Sequence, residues 1–492
     1  MTVPRPGRSD RPIASHAIGA AWALAAVAVL SLSVLPTRLQ PDASAAPRLH
    51  RPSRPAGRPP VPLAPLSAAA PMTTQPPPPP LDPTPYGRPI AIGTPLSAPP
   101  APDRIAPWNA SAVTETARLE VPGGPSEAWM AFTPDGRRMV SHVNHQEMIV
   151  RSLPDGAVVH RLSGAVSSSW GPDRISPDGR LIALGNQSGE VSNGGSVDLW
   201  DLEAGDRARQ HRGGEQVLSI AFAEDGRRLV AARVYGRSNV WRVDTGELLA
   251  DVRFEGTDGY SYGEVRPGHQ DVAWLPYGGG AVLIGDALTG ALKQRLALPA
   301  SGSSYQTRLS WRPDGSSLLV LVGQGDQVDL QRYDGPTLAQ HRRHGLAGRA
   351  SVAAWSPADG AVAVAGFTGG PTGYRHWALD WAPGRDPQPV PLAPDCAVDG
   401  LSWSADGRLL AIGQRCSDDG ADATRQLATA LVEVATGRTI RDLAGVSRPQ
   451  FAPGGAVLVA HSGGPNDPVV HLFGVPPGGH TGPRLYVPAA SR

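Results

Sequence analysis

Short apolar segments alternate with clusters of Pro, Asp and Gly from about Trp108 to the C-terminus. The segments are as short as β-strands, and each ends in an aromatic or aliphatic residue that leads into a turn. Proline pre-sets the first turn position, Asp bonds back to the backbone, and Gly adopts positive φ. This pattern predicts an all-β domain.

One strand-turn unit recurs eight times, at intervals of about 42 to 47 residues, which is close to the length of a four-stranded propeller blade. The eight copies occupy residues 132–136, 175–179, 222–226, 265–268, 311–315, 355–360, 403–407 and 451–454. Residues 274–278 imitate the first turn but would compress the spacing, so the fourth copy is assigned to residues 265–268.

A second turn lies between successive first turns, so each repeat holds four strands. The second turns centre on Gly156, Gly205, Gly246, Gly290, Gly335, Gly384, Gly437 and Gly478. Eight repeats predict an eight-bladed β-propeller, with seven blades and one irregular repeat as the alternative. Two segments are candidates for the strand that closes the ring, residues 116–121 and residues 484–487.

The repeated turn, as in Phe132-Thr-Pro-Asp-Gly136 and Ile175-Ser-Pro-Asp-Gly179, resembles that of the WD-repeat and TolB-like β-propeller families. The resemblance covers the chain from about Ala117 onward. Only Trp200-Asp201 reproduces the Trp-Asp dipeptide of WD repeats, and the Gly-His element is nearly absent. The Pro-Asp-Gly pattern therefore fits the TolB-like variant better.

The N-terminal part divides into a basic tail (1–16), an uncharged apolar segment (17–35) and a Pro- and Ala-rich linker (36–108), before the propeller (109–492). The apolar segment is long enough to span a bilayer, so we expect an uncleaved signal anchor. The alternative is a secreted protein, cleaved near Ala45. Both place the propeller outside the cytoplasm, on a semi-rigid polyproline stalk.

Charge and motif content exclude several functions. Lys and Arg total 45 against 44 for Asp and Glu, so no strongly basic footprint for nucleic acid is expected. The His142/His145 and His341/His344 pairs offer too few ligands for zinc, and residues 418–422 lack the pattern of a calcium loop. No nucleophile elbow or phosphate-binding loop is present, so we expect no catalytic residues, metal or cofactor.

The connections between strands two and three, and those between blades, are long and variable and share one end of the ring. Aromatic residues on or beside them are candidates for partner binding, because exposed aromatics favour interfaces. These are Tyr260, Tyr262, Tyr305, Tyr374 and Trp377.

Cys396 and Cys416 lie at equal distances from Asp406, the centre of a first turn, and should face each other across a hairpin. Opposed residues of antiparallel strands are close enough for a disulfide. The alternative is two reduced core cysteines.

These observations predict a monomeric, membrane-tethered propeller that acts as a non-enzymatic interaction or scaffold module for a protein or an envelope component. Two alternatives remain, a hydrolase or lyase with a site in the central funnel, and a ligand- or carbohydrate-sensing receptor.

Overall fold

The computed structural model describes residues 104–476, except 121–129, 144–146, 164–173, 187–194, 213–214, 224, 258–260, 277–279, 299–306, 325, 336, 371–372, 383–385, 387, 391, 393–395, 417–425 and 463–468. The predicted N-terminal tail, signal anchor, most of the linker and residues 484–487 lie outside the described residues. Within the described part, no helix is long and apolar enough to cross a membrane.

Within the described residues, thirty-two strands form eight four-stranded antiparallel sheets. Each sheet is one blade, and its strands follow in chain order from the inner to the outer edge. Blades 1 to 4 contain β2 (Met130–Phe132), β3 (Arg138–Val143), β4 (Glu147–Ser152) and β5 (Val158–Ser163); β6 (Arg174–Ile175), β7 (Leu181–Asn186), β8 (Ser196–Asp201) and β9 (Asp206–Arg212); β10 (Val217–Phe222), β11 (Arg228–Arg233), β12 (Arg237–Arg242) and β13 (Leu248–Arg253); β14 (Tyr262–Val265), β15 (Asp271–Leu275), β16 (Ala281–Asp286) and β17 (Leu292–Ala297).

Blades 5 to 7 follow the same order, and blade 8 takes its outermost strand from the start of the domain. They contain β18 (Thr307–Trp311), β19 (Ser317–Gln324), β20 (Gln327–Asp334) and β21 (Ala339–Ala347); β22 (Arg349–Trp355), β23 (Val362–Gly370), β24 (Gly373–Trp381) and β25 (Gln388–Pro389); β26 (Cys396–Trp403), β27 (Leu409–Cys416), β28 (Gln426–Glu433) and β29 (Arg438–Ala444); β30 (Ser447–Phe451), β31 (Leu458–Ser462), β32 (Val469–Gly474) and β1 (Thr114–Glu120).

The ring is closed by β1, which pairs antiparallel with β32 from Thr114 opposite Gly474 to Glu120 opposite Val469. Of the two candidate closing segments, the N-terminal one therefore occupies the slot. Residues 104–108 were expected to belong to the linker, but they already contact the propeller. Ile105 is buried, and its N–H donates to the carbonyl oxygen of Gly455 at 2.8 Å.

The hydrophobic core is a ring of eight separate clusters, each shared by two neighbouring blades. Successive strand residues alternate between clusters: Met139 packs against blade 8, and Val140 packs against blade 2. The cluster of Leu119, Val459 and Met139 joins blade 8 to blade 1. No blade buries both of its faces alone, so radial stacking follows from the period-2 apolar pattern.

The first turns have the predicted chemistry. Positive-φ glycines occur at Gly136, Gly179, Gly226, Gly268, Gly315, Gly360, Gly407 and Gly455. Gly268 joins β14 to β15, so the placement of the fourth repeat was correct. In the last repeat the left-handed residue is Gly455, not Gly454, because this turn contains one more residue than its Pro-Gly pair indicated.

Candidate functional site

The strand order gives the ring two different ends. The first turns of the blades, and the second turns of blades 1 to 5 and 7, lie at one end, which we call the turn end; Gly384 and Gly478, predicted for the second turns of repeats six and eight, lie outside the described residues. The connections between strands two and three, and those between blades, lie at the other, which we call the loop end. The two ends share one scaffold but differ in how their polar groups are satisfied.

The turn end is a repetitive, closely packed surface. The Thr133 hydroxyl donates to Asp135 Oδ1 at 2.6 Å, and the N–H of Gly136 donates to the carbonyl of Thr133 at 2.8 Å. Neighbouring first turns also touch, since a Cβ on Gly136 would lie 2.6 Å from the backbone nitrogen of Gly454. This contact brings the first turns of blades 1 and 8 together.

Arginines at the turn end donate hydrogen bonds to backbone carbonyls of the next blade. Arg138, Arg209, Arg266 and Arg332 donate to Leu202, Thr245, Gly315 and Gly360, at 2.7, 2.6, 2.6 and 2.6 Å. A charged donor satisfied in this way tightens the joint between blades. These bonds depend on the stacking of blades, and spacing along the sequence does not reveal them.

Indole groups link the inner edges of successive blades. Trp311 Nε1 donates to the carbonyl of Glu264 at 3.3 Å, and Trp403 Nε1 donates to that of Ala354 at 2.9 Å. The aromatic residue that marks the end of a first strand thus packs against the preceding blade and hydrogen-bonds to it.

The loop end of blade 3 is built on a fully buried arginine, Arg233, with 0% exposure. Its Nη1 donates to the carbonyl oxygens of Gly195 at 3.0 Å and Glu215 at 2.5 Å, and its Nε bonds to Asn239 Oδ1. Its guanidinium also lies over the ring of Trp241, 5.8 Å from the centroid. Burial is the largest effect on this group and lowers the pKa of Arg233 to about 10.

A second arginine completes this frame. Arg237 Nη1 donates to Glu215 at 2.9 Å, and its Nε and Nη2 bind the two carboxylate oxygens of Asp251 at 2.7 and 2.8 Å. This fork-to-fork contact fixes the start of β12 against β13. The frame holds the connection between strands two and three of blade 3 in one geometry.

Tyr235 projects from this frame with 41% of its surface exposed. Its φ of 61° and ψ of 29° are left-handed, a conformation that costs a non-glycine residue about 1–2 kcal/mol. The following Gly236 is also left-handed, and a Cβ there would lie 1.7 Å from Thr257 Oγ1. The N–H of Phe254 donates to the carbonyl of Gly236 at 2.9 Å, so the next inter-blade connection fixes this turn from outside.

Further buried ionisable groups lie toward the loop end. Burial raises the pKa of Asp198. Burial, with smaller effects of Arg209 and Arg233, lowers the pKa of His211 to about 3. The His211 ring stacks on Trp241 with centroids 4.8 Å apart, and its Nε2 has no hydrogen-bond partner among the described residues. Neutral imidazole is thus the form that the fold stabilises.

The seam between blades 7 and 8 carries a polar network at its loop end. Asp399 accepts hydrogen bonds from Arg415 Nη2 at 3.1 Å, from the N–H of Arg448 at 3.3 Å and from the hydroxyl of Ser447. Arg448 is left-handed, with φ of 50°. A Cβ on Gly413 would lie 2.6 Å from the Arg448 nitrogen, so the two strands approach closely only because glycine occupies this position.

Cys396 and Cys416 form a disulfide at the loop end of blade 7. They are directly opposite in the register of β26 and β27, with Cα atoms 4.0 Å apart. The symmetric spacing around Asp406 therefore corresponds to the pairing in the sheet. The bond ties the inner strand of blade 7 to its second strand beside the Asp399 network.

The aromatic residues singled out in the sequence have different positions. Tyr262 begins β14, and its ring packs against the cluster between blades 4 and 5. Tyr374 and Trp377 lie within β24, because β23 and β24 extend through most of the segment expected to be a loop. Tyr260 and Tyr305 lie outside the described residues.

Tyr235 was missed by the sequence reasoning. Its connection is only a few residues long and did not belong to the long, variable set. A Tyr-Gly pair between two strands was the available signal, since Gly236 marks a tight turn.

In the described ranges, no group of three or more His, Cys, Asp or Glu side chains is arranged to hold a metal ion. The His142 and His341 side chains and residues 418–422 lie outside the described residues. On the described innermost strands the acidic residues are Glu264 of blade 4 and Asp399 of blade 7.

Comparison with known proteins gives similarity at the level of structure. No family model matches the chain, and no curated protein matches it. The β-propeller domain of Myceliophteria thermophila Cps50 (Swd1) is 17% identical, with a TM-score of 0.41 over 62% of this chain and 95% of that one. Kuenenia stuttgartiensis hydrazine synthase is 13% identical, with a TM-score of 0.43 over 69% of this chain and 93% of that one.

The C-terminal WD40 domain of Sif2 matches more of the fold. It is 13% identical, and the match has a TM-score of 0.50 over 74% of this chain and 99% of that domain. An identity this low is informative about the fold alone. The chain is therefore an eight-bladed β-propeller with a fold similar to that of WD40 domains.

Proposed function

We propose that this chain is a non-enzymatic interaction module whose loop end binds a protein partner. The observation that supports this most directly is Tyr235, an exposed aromatic residue held in a strained conformation by a buried arginine frame. Strain of this kind persists only where the surroundings enforce it, and it concentrates at functional positions. Tyrosine is also among the residues that contribute most to binding at protein interfaces.

Rigidity of the backbone at Tyr235 favours binding because little backbone freedom remains to be lost. Gly236 and Phe254 fix the turn, and Arg233 and Arg237 fix the strands on either side. A partner would therefore meet an aromatic residue on a backbone already in place. WD40-type propellers supply the same kind of rigid platform with loops at one end.

We further propose that the propeller is of the TolB-like variant, lies outside the cytoplasm and is tethered by an N-terminal membrane helix of about residues 17–35. The uncharged length of that segment supports a membrane anchor. The Cys396–Cys416 disulfide supports an oxidising compartment. Protease added to intact cells should then degrade the propeller; protection of the propeller would contradict this placement.

The binding proposal is tested by site-specific photocrosslinking of the full chain in its own cells. A benzoylphenylalanine at position 235 should capture a partner that mass spectrometry identifies. The matched control is the same amino acid at Leu292, which is 56% exposed and begins β17 near the turn end. Equal capture at both positions would contradict the proposal.

Purified components give the affinity. Tyr235→Ala should weaken binding of the captured partner by about 30-fold, the effect of losing roughly 2 kcal/mol at an interface hot spot. Leu292→Ala should change the affinity by less than about twofold. An unchanged affinity for Tyr235→Ala would show that the partner binds elsewhere.

A further inference from the structure

The innermost strands, which line the axis of the ring, carry unequal charge. Their described residues include four arginines, Arg174, Arg308, Arg349 and Arg448, and two acidic residues, Glu264 and Asp399. The chain as a whole is nearly neutral, with a formal charge of +1. The excess of positive charge is thus a local property of the channel.

The two acidic groups do little to neutralise this excess. Asp399 is already occupied by Arg415, Ser447 and the N–H of Arg448. Its Oδ2 lies 3.9 Å from Arg448 Nε, so it offsets charge on Arg448 and leaves Arg308 and Arg349 unpaired with it. Glu264 is 7% exposed, and its Oε2 has no hydrogen-bond partner among the described residues. Burial raises the pKa of Glu264 to about 8 despite the opposing effect of Arg174, so the carboxyl is mostly protonated at neutral pH.

Arg308, Arg349 and Arg448 all belong to one side of the ring, on blades 5, 6 and 8. Arg308 and Arg448 are both the second residue of their innermost strand, and Arg349 is the first of its own. First strands run from the loop end to the turn end, so these positions are near the loop end. We call Arg308, Arg349 and Arg448 the cationic arc.

Arg308 and Arg349 have no ion-pair partner within 4.0 Å among the described residues. Asp326 lies in the connection between strands two and three of blade 5, next to the start of β22. Its backbone carbonyl oxygen accepts a hydrogen bond from the N–H of Gly348 at 2.6 Å. The contrast with the turn end is direct, because Arg266 and Arg332 are each bound there by a carbonyl of the next blade.

Arg308 is half-buried, and a half-buried guanidinium without an acceptor from the protein is unfavourable unless something else supplies one, whereas Arg349 is exposed. Burial lowers the pKa of Arg308, against a smaller opposing effect of Tyr262. Burial likewise lowers the pKa of Arg448. The left-handed backbone of Arg448 adds strain at the same end of the channel.

We propose that the cationic arc receives an acidic segment of the protein partner, whose Asp or Glu carboxylates pair with Arg308 and Arg349. This inference rests on the proposed binding function and adds the chemistry of the partner. Arginine forks bind carboxylates with two parallel hydrogen bonds, which suits recognition of side chains more than of diffuse charge.

The test uses two labelled peptides of equal length, one of glutamates and one of glutamines, and the full chain in detergent. Fluorescence anisotropy should show binding of the glutamate peptide alone. Arg308→Gln/Arg349→Gln should weaken that binding by about tenfold, as expected when charge pairs worth roughly 1.4 kcal/mol are lost. If the double variant unfolds, peptide binding is measured with the single variant Arg349→Gln, whose position is exposed.

The matched control is Arg227→Gln/Arg408→Gln, which removes the same charge from exposed positions of first turns at the opposite end. It should change the affinity by less than about twofold. An equal loss in both double variants, or equal binding of both peptides to the wild type, would overturn the inference.

Crosslinking at position 235 separates this inference from the proposed function. The chain with benzoylphenylalanine at position 235 is compared with and without Arg308→Gln/Arg349→Gln. If both capture the partner equally well, the acidic-segment inference is wrong and the binding function stands. If position 235 captures nothing more than position 292 does, the binding function itself fails.

Discussion

Several buried ionisable groups at the two ends of the propeller differ in what sets their pKa. At the turn end, burial raises the pKa of Asp286, but hydrogen bonds from Lys293 and the N–H of Thr289 outweigh it and lower the pKa to about 2. At the loop end, burial dominates, raising the pKa of Asp198 and lowering those of His211 and His461 to about 3. For these four groups, hydrogen bonds outweigh burial at the turn end, whereas burial prevails toward the loop end.

This difference supports the proposal that the loop end is the binding end. Stability alone favours paired charges, saturated donors and glycine at left-handed positions, as in the first turns. Unsatisfied arginines and a left-handed tyrosine reduce stability and persist where function requires them. The turn end therefore holds the ring together, and under the proposed function the loop end presents groups to a partner.

The largest expected effect tests the packing of the turn end. Gly136→Ala should lower the free energy of unfolding by about 3 kcal/mol or more, because it combines left-handed strain with a clash against the backbone of Gly454. Gly437→Ala, at φ of 67° with nothing within 4 Å of the added Cβ, should lose about 1 kcal/mol. Urea unfolding followed by tryptophan fluorescence measures both. Equal losses would mean that first turns do not support one another.

The second prediction concerns acid and the loop end. The pKa of His211 in the folded protein is about 3, and its ordinary value is 6.5. Between these two pH values the unfolded chain therefore binds a proton that the folded chain does not. Stability is complete above about pH 6.5 and is lost toward pH 3, by roughly 1.4 kcal/mol per pH unit for this group.

His211→Phe should reduce that loss, because phenylalanine keeps the stacking on Trp241 and cannot be protonated. Melting temperatures measured from pH 7 to pH 4 give the slope for each protein. A slope in His211→Phe as steep as in the wild type would place the acid sensitivity elsewhere, with His461 as the next group to test.

The smallest expected effect is a gain in stability at Tyr235. Tyr235→Gly should raise the free energy of unfolding by about 0.5–1 kcal/mol, since glycine adopts the left-handed conformation without strain. Tyr235→Ala keeps most of the strain and should not be stabilised. Both should weaken binding of the partner identified by crosslinking. A glycine variant no more stable than the alanine variant would show that little strain is stored at this position.

Sequence reasoning succeeded where structure is dictated locally. Pro, Asp and Gly define a first turn within five residues, so the eight repeats and the pairing of Cys396 with Cys416 could be predicted from spacing. Gly454 was the exception. Two adjacent glycines satisfied the same pattern, and only the backbone shows that Gly455 adopts positive φ.

The loop end was less predictable because its features depend on contacts between blades. The sequence shows that Arg308 and Arg332 are both arginines on strands. Whether a carbonyl such as that of Gly360 meets the guanidinium depends on how the next blade stacks. Tyr235 is likewise unremarkable in the sequence, and its conformation follows from Thr257 and Phe254, which are close in space only after folding.

Closure by β1 has a consequence for how the chain is made. The hydroxyl of Thr116 bonds to the carbonyl of Leu472, 356 positions later. At ribosomal rates of about 5–20 residues per second, β1 waits roughly 20 to 70 seconds for its partner to be synthesised. Throughout that interval the first strand of the nascent domain and the open flank of blade 1 are exposed to chaperones, and the ring reaches its final stability only when the last blade emerges.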